Sequence, residues 1–247
     1  MAISRAQLLK ELLPGLNALF GLEYAKYENE HEQVYETETS DRSFEEEVKL
    51  SGFGQASVKD EGSAINYDTA QESFSTRYNH ETIGMGFSIT EEAMEDNLYD
   101  SLSARYTKAL ARSMAYTKQV KAANPLNQGF SGGNFNSGDG VDLFSTAHPL
   151  VSGGTNSNTF ATQADLNALK ANGSIPEGYV VNHFLTDTNA FFIMTDVPNG
   201  FKHFARTPLE TSMDGDFDTG NVRYKARERY SFGVSDPLGA FGSSGSS

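Results

Sequence analysis

The stretch from Thr90 to Ala123 constrains this chain more than any other, because it carries the longest unbroken helical pattern. Met94, Leu98, Leu102, Tyr106, Ala109, Leu110, Ser113, Tyr116 and Val120 recur in steps of three and four, which places them on one stripe of a helix. Thr90 suits the N-cap, with Glu91 and Glu92 in the first turn. Acids (Glu91, Glu92, Glu95, Asp96, Asp100) precede bases (Arg105, Lys108, Arg112, Lys118, Lys121), the order that complements the helix dipole. At a rise of about 1.5 Å per residue the helix would reach about 50 Å, longer than the core of a small domain needs. Asn124-Pro125 is expected to end it, since the residue before a proline is pushed out of the helical region. Sequence on both sides reads as β, so the predicted class is α+β around a long amphipathic spine.

Before the spine, Ser4 and Gln7 form a capping-box pattern ahead of Leu8, Leu9, Leu12 and Leu13. Pro14-Gly15 is expected to break that helix, after which Leu16, Leu19 and Phe20 continue an apolar face. Two readings stay open here: a helix packed on its own domain, or an arm that docks on a neighbouring copy. Residues 23–49 are crowded with glutamate and read as a solvated face, with a short strand near Val34 to Thr37. Residues 50–72 are polar with scattered apolar residues, Phe53 among them, and read as a long exposed β-hairpin or loop. Ile83, Met85, Phe87 and Ile89 alternate with Gly84, Gly86 and Ser88, a strand with one packed face that runs directly into the spine. The glycines on its other face predict close approach by another backbone or subunit.

After the spine, residues 124–140 form a Gly/Asn/Ser loop, which lacks the Lys-Ser or Lys-Thr and the strand-to-helix context of a phosphate-binding loop. A turn at Asp139-Gly140 is expected to lead into a short strand through Val141, Leu143 and Phe144, and a helical fragment is expected from Gln163 to Lys170. Strands are predicted at Tyr179 to Leu185, Ala190 to Thr195, His203 to Pro208 and Val222 to Phe232, with a hairpin turn at Asn199-Gly200. Arg223, Lys225, Arg227 and Arg229 alternate on one face of the last strand. The Gly/Ser-rich tail from Gly239 to Ser247 is expected to be mobile.

Charge and composition exclude several functions. With 33 acids against 19 Lys and Arg, the net charge of −14 favours solubility and opposes broad binding to nucleic acid or a membrane surface. The absence of cysteine excludes disulfides, thiolate zinc sites and cysteine nucleophiles. No apolar run is long enough to span a bilayer, and the N-terminus lacks a signal-peptide pattern, so the protein is expected to be made in the cytosol and to leave it only by lysis. Asp142, Ser145 and His148 lie together but lack a nucleophile elbow. Asp214, Asp216 and Asp218 alternate like calcium ligands, yet the glycine is misplaced and Lys225 stands where a bidentate glutamate belongs. His31, His80, His148, His183 and His203 show no metal-ligand spacing, and His183 and His203, each beside a phenylalanine, read as packing residues. No cofactor, metal or enzyme signature is expected.

Four stretches in order carry a family resemblance: the leucine-rich N-terminus; YNHETIGMGFSITEEAMEDN (Tyr78 to Asn97); DGVDLFSTAHP (Asp139 to Pro149); and the block from GYVVNHFLTDTNAFFIMTD to VRYKARERYSFGVSDP (Gly178 to Pro237). Together they resemble the major capsid proteins of tailed bacteriophages, including the Mu-like major head subunit group. The resemblance implies the Hong Kong ninety-seven fold: an N-terminal arm (1–43), an extended β-hairpin loop with its strands (44–89), a spine helix (90–123), an axial domain (124–174) and a peripheral sheet with the tail (175–247). The interval 124–174 is shorter than the family's axial domain, as if that domain were reduced or a segment were absent near Leu166–Asn167. Some family members cross-link a loop lysine to a neighbour's asparagine. Lys59 lies in the corresponding region, but no motif carries that reaction over.

The implied function is a self-assembling icosahedral head shell around double-stranded DNA, in the virion and built in the host cytoplasm. Its partners would be further copies in pentamers and hexamers, portal and scaffold or decoration proteins, and weakly contacted packaged DNA. Leu8, Leu9, Leu12, Leu13, Phe53, Lys59, Arg105, Arg112, Arg223 and Arg227 are the expected assembly-contact candidates. The cations of the spine and of the last strand read either as internal ion pairs and solvated faces or as partners of the Glu-rich segment 28–47 of an adjacent copy or of DNA phosphate. The alternative from another class is a β-rich hydrolase or carbohydrate-binding protein that uses the acidic 214–218 turn.

Overall fold

A computed structural model describes residues 5–50, 53, 56–69, 72–95, 99–130, 134–150, 153–159, 182–187, 190–195, 197, 200–216 and 219–245. In chain order these form helix α1 (Arg5–Tyr24), strands β1 (Glu36–Thr39), β2 (Phe44–Leu50), β3 (Glu72–Asn79) and β4 (Glu81–Ile89), helices α2 (Glu91–Glu95) and α3 (Tyr99–Gln128), and strands β5 (His148–Pro149), β6 (Thr155–Asn156), β7 (Phe191–Met194), β8 (Phe201–Gly215), β9 (Val222–Val234) and β10 (Ala240–Ser243). The chain divides into two units, one of Met1–Ser43, Asn79–Ala123 and His203–Ser231, the other of Phe44–Tyr78, Asn124–Lys202 and Phe232–Ser247.

The first unit is built on a four-stranded sheet in the order β1-β8-β9-β4. β4 pairs antiparallel with β9 from Glu81↔Tyr230 to Ile89↔Val222. The period-two pattern of β9 puts Val222, Tyr224, Ala226 and Glu228 on the buried face and Arg223, Lys225 and Arg227 in solvent. Against the buried face pack Leu110, Ala111 and Met114 of α3 and Leu16 and Phe20 of α1, with Leu12, Leu13, Ile83, Phe87, Leu209 and Met213 partly buried at the margin. At about 1.5–3 kcal/mol for each large side chain removed from water, this cluster is the main stabilising element of the unit. The predicted close approach of a backbone is met by Gly86, where a Cβ would stand 2.7 Å from the Tyr224 carbonyl oxygen.

Two prolines expected to stop helices do not. α1 continues through Pro14 and α3 through Pro125. A proline in a helix forfeits one backbone bond and costs roughly 3 kcal/mol. In α1 the loss is offset by the burial of Leu16 and Phe20 beyond it, while Pro14 and Gly15 face solvent. In α3, Leu126 is buried, and the Ala122 carbonyl in the disturbed turn accepts the Tyr35 hydroxyl at 2.7 Å. Thr90 caps as predicted, its hydroxyl accepting the Ala93 N–H at 3.3 Å, although the cap belongs to the short α2 and residues 96–98 lie outside the described set.

In the second unit β2 pairs with β3, and between them residues 56–69 run as exposed, irregular chain, consistent with the predicted extended loop. The core of this unit is aromatic: Phe144 stacks 4.7 Å from Phe130 and packs 5.2 Å from Phe192. Four expectations are corrected here. Val141 to Phe144 is a bend with one bridge, Asn136↔Asp142, rather than a strand, because Leu143 and Phe144 turn into the aromatic core. Residues 182–187 form a turn held by Asn127, whose side-chain amide donates to the Phe184 carbonyl at 3.0 Å. β7 pairs with β10 rather than across a hairpin with β8, and Asn199 lies outside the described residues. The tail is not free at 240–243: its small residues fit under the rings, and a Cβ on Gly242 would come within 2.9 Å of Phe192 and 3.0 Å of Phe144. The helical fragment at 163–170 and the junction at Leu166–Asn167 lie outside the described residues.

Candidate assembly surfaces

Among the described residues, the loop between β2 and β3 exposes four large apolar side chains. Phe53 is 74% exposed, Tyr67 89% and Val58 93%, and Ile65 is also exposed. Large apolar side chains held out in solvent along one loop suit a surface that another molecule covers. Lys59 and Asp60 share the exposed run. The loop springs from a stem that is firmly held: the Arg77 guanidinium lies 3.5 Å over the Phe44 ring, and Lys49 Nζ meets Asp236 Oδ1 at 2.6 Å.

The solvent face of the four-stranded sheet is the second surface. Opposite the cations of β9, the register places only Ser88, Gly86, Gly84 and Thr82 of β4, so one flank of the row is bare. Arg223 donates to Asp216, while no ion pair among the described residues engages Lys225 or Arg227. Arg105 is exposed on α3. Arg112 is tied to its own chain, Nε donating to the Tyr27 hydroxyl at 2.8 Å.

Beneath that sheet lies a polar cluster that the sequence did not reveal. Lys118 Nζ stands 3.4 Å from Glu228 Oε2 and 5.2 Å from the centre of the Tyr230 ring. Burial pushes the Glu228 pKa up, and Lys118 only partly opposes it. The rings of His31 and His203 meet edge-on at 5.3 Å, both buried. Burial, then Lys118, holds His31 below its ordinary value, and burial, then Lys118 and His31, takes His203 down to about 3. Gln119 binds His31 twice, its Oε1 accepting the backbone N–H at 3.1 Å and its Nε2 donating to Nδ1 at 3.0 Å. These groups come from segments up to two hundred residues apart, so no local motif announces them.

The expected contacts are placed as follows. Leu12 and Leu13 lie partly buried on their own core, which assigns this part of α1 to its own domain; the side chains of Leu8 and Leu9 are outside the described residues. Phe53, Lys59, Arg105 and Arg227 face solvent, and Arg223 does so beside Asp216. His203 is a packing residue as expected, whereas His183 sits exposed in its turn, where its neighbour Phe184 rather than the imidazole is drawn inward. Asp142, Ser145 and His148 do not form a triad: His148 pairs with Asp139 at 2.7 Å and with Asn158 at 3.1 Å, and the Ser145 hydroxyl accepts the Ala147 N–H. Burial disfavours the Asp139 carboxylate, but bonds from Ser137, His148 and the Val141 N–H outweigh it and lower its pKa. In the acidic turn, Asp216 is taken by Arg223 and Thr219, and Asp218 lies outside the described residues. Among the described residues no group of three or more acidic, histidine or cysteine side chains could hold a metal, and no helix is long and apolar enough to cross a membrane.

Residues 72–242 match the model of a family described as phage capsid protein. The fold is similar to a chain of the procapsid of bacteriophage JBD30, with TM-score 0.62 and 17% identity over 98% of this chain and 76% of that one. It is similar also to a chain of the bacteriophage JBD30 capsid (0.59, 13%, covering 90% and 66%) and to a virus-like particle from Pyrococcus furiosus (0.52, 11%, covering 92% and 96%). No curated protein matches this chain.

Proposed function

From the premise that this chain belongs to the phage capsid protein family, we propose how it builds a shell. It is the major subunit of an icosahedral virion head around double-stranded DNA, arranged in pentamers and hexamers, and it acts as a structural protein rather than an enzyme. The observation that carries this reading is the apolar loop, with Phe53, Val58, Ile65 and Tyr67 in solvent on a stem that is itself well packed. Neighbouring copies cover that loop, so the stability of the shell is collective. Lys225 and Arg227, with Arg223 beside them on β9, meet acidic stretches of adjacent copies such as the Glu-rich segment 28–47, and Arg105 offers a separate exposed cation on α3. Leu8 and Leu9 extend this contact set at the N-terminal end of α1. Portal and scaffold or decoration proteins are the further partners. A subunit of net charge −14 touches packaged DNA only weakly, and membership of the Mu-like group is a finer reading that rests on the sequence motifs.

Electron microscopy of the purified protein tests this function: closed particles or rings built of many copies are expected. A protein that stays monomeric across concentration, salt and temperature contradicts it.

A further inference from the structure

The described residues at the root of the extended loop form more bonds than a hinge requires. On β2, Glu47 Oε2 accepts hydrogen bonds from the hydroxyls of Tyr78 at 3.2 Å and of Ser235, and those two hydroxyls also meet each other. Two residues further, Lys49 Nζ reaches Asp236 Oδ1 at 2.6 Å, with side-chain exposures of 23% and 9%, and passes 5.5 Å from the Phe74 ring. The same Asp236 oxygen accepts the Leu238 N–H at 3.0 Å, so the carboxylate is fixed before Lys49 arrives.

The face of β3 that meets this network is seated just as closely. Phe74, Thr76 and Tyr78 share that face by strand period. A Cβ on Gly138 would stand 2.7 Å from the Phe74 ring, and a Cβ on Gly233 would stand 2.5 Å from the Tyr78 ring. Both glycines therefore serve as floors on which rings of the stem rest, and no larger residue leaves that seat open. The stem is thus held through one face, by charge and hydrogen bonds on β2 and by ring contact on β3.

We infer that Lys49–Asp236 and the Glu47–Tyr78–Ser235 bonds form a clamp that sets the direction in which the extended loop leaves its unit, making these positioning residues for assembly. Among the described residues neither set bonds to the loop's exposed apolar side chains, and a two-stranded ribbon alone is too pliable to aim a long irregular chain. In a closed shell the angle between neighbouring copies follows from where each loop lands, so a loosened clamp yields particles of mixed size. This last step rests on the shell function proposed above, whereas the aiming of the loop does not.

The chain lacks cysteine, so Glu61→Cys in the loop and Thr155→Cys on β6 give one pair of spin-label sites. Pulsed electron–electron resonance on the otherwise complete chain reads the loop-to-body distance in the variants Lys49→Met, Tyr78→Phe and Lys49→Arg. The clamp predicts a single narrow distance in the parent and in Lys49→Arg, and a broadened, shifted distribution in Lys49→Met and Tyr78→Phe while circular dichroism stays unchanged. Lys49→Met is then expected to give particles of several diameters. A narrow parent-like distance in both Lys49→Met and Tyr78→Phe overturns the inference. So does an unfolded Lys49→Met together with a parent-like Tyr78→Phe, which would mean the pair holds the fold and not the loop. If the parent forms no particles, the shell reading fails, and the distance measurement still decides the clamp.

Discussion

Lys118 of α3 and Glu228 of β9 meet at 3.4 Å with only 2% of the Glu228 side chain exposed, and Glu228 Oε1 has no hydrogen-bond partner among the described residues. The pair ties the spine to the sheet, but its carboxylate is poorly solvated, and burial raises its pKa. A raised carboxyl adds stability below its unfolded value of 4.5 and loses it as pH rises through its higher folded value. Removing one partner of a buried pair costs about 3–5 kcal/mol. Lys118→Met should therefore lower the midpoint of urea unfolding, and the deficit should grow with pH, since the stranded Glu228 is tolerated once protonated. Lys118 also depresses His31 and His203, so its loss eases the acid side in the same sense. A deficit independent of pH would contradict this.

His203 carries the opposite dependence. Its pKa falls from 6.5 to about 3 on burial, so between those values the unfolded chain binds a proton that the native one refuses. Its contribution is complete above 6.5 and is lost as pH falls, at up to about 1.4 kcal/mol per pH unit. His31 adds a loss of the same sign. His203→Phe should give a shallower fall in unfolding free energy between about pH 6.5 and pH 4, and an unchanged slope would show that His203 is protonated in the native state.

Gly86 and Gly84 separate a steric requirement from a preference. A Cβ at Gly86 meets the Tyr224 carbonyl oxygen at 2.7 Å, whereas one at Gly84 meets the Ala226 oxygen at 3.5 Å, an ordinary contact. Gly86→Ala should cost about 1–3 kcal/mol, as overpacking does, because the contact is with backbone. Gly84→Ala should be neutral or slightly stabilising. Thermal melting of the two variants compares them directly, and equal melting temperatures would contradict the register of β4 against β9.

Much of this fold was readable in the sequence where the signal is local. The alternation in Ile83 to Ile89 and in Val222 to Glu228 reports strands, and the threes and fours after Thr90 report a helix, but the faces are only partly as predicted. Met85 is exposed, and on α3 Tyr106, Ala109 and Tyr116 of the expected stripe face solvent while Ser103, Thr107, Ala111, Met114 and Gln119 are buried, because the core is met by small and polar residues as well as by the apolar repeat. Pro14 and Pro125 misled because their penalty is local, whereas the compensating burial of Leu16, Phe20 and Leu126 comes from residues far away in sequence. The tail misled for the same reason: Gly242 looks like linker until Phe144 and Phe192 are seen to need its missing Cβ. Of the candidate contacts, Phe53 in a polar run and Arg227 on an alternating cationic face could be read as exposed from local pattern, while the Lys118, Glu228, His31 and His203 cluster exists only once α3 crosses the sheet.

Replacing apolar loop residues should separate folding from assembly. Val58 and Tyr67 make little contact with their own unit, so Val58→Ser with Tyr67→Ser should leave the unfolding free energy of the isolated chain within about 0.5 kcal/mol of the parent. The same pair should abolish closed particles by electron microscopy. Normal particles from the double variant would remove the loop from the assembly surface.

The central claim, that further copies cover the loop, is tested most directly by a single thiol at Val58 in a chain that has no other. Val58→Cys is treated with a water-soluble thiol reagent as dispersed subunits and as assembled particles, and the labelling rates are compared. Fast labelling of subunits and strong protection in particles is the predicted result. Equal rates in the two states would contradict the account.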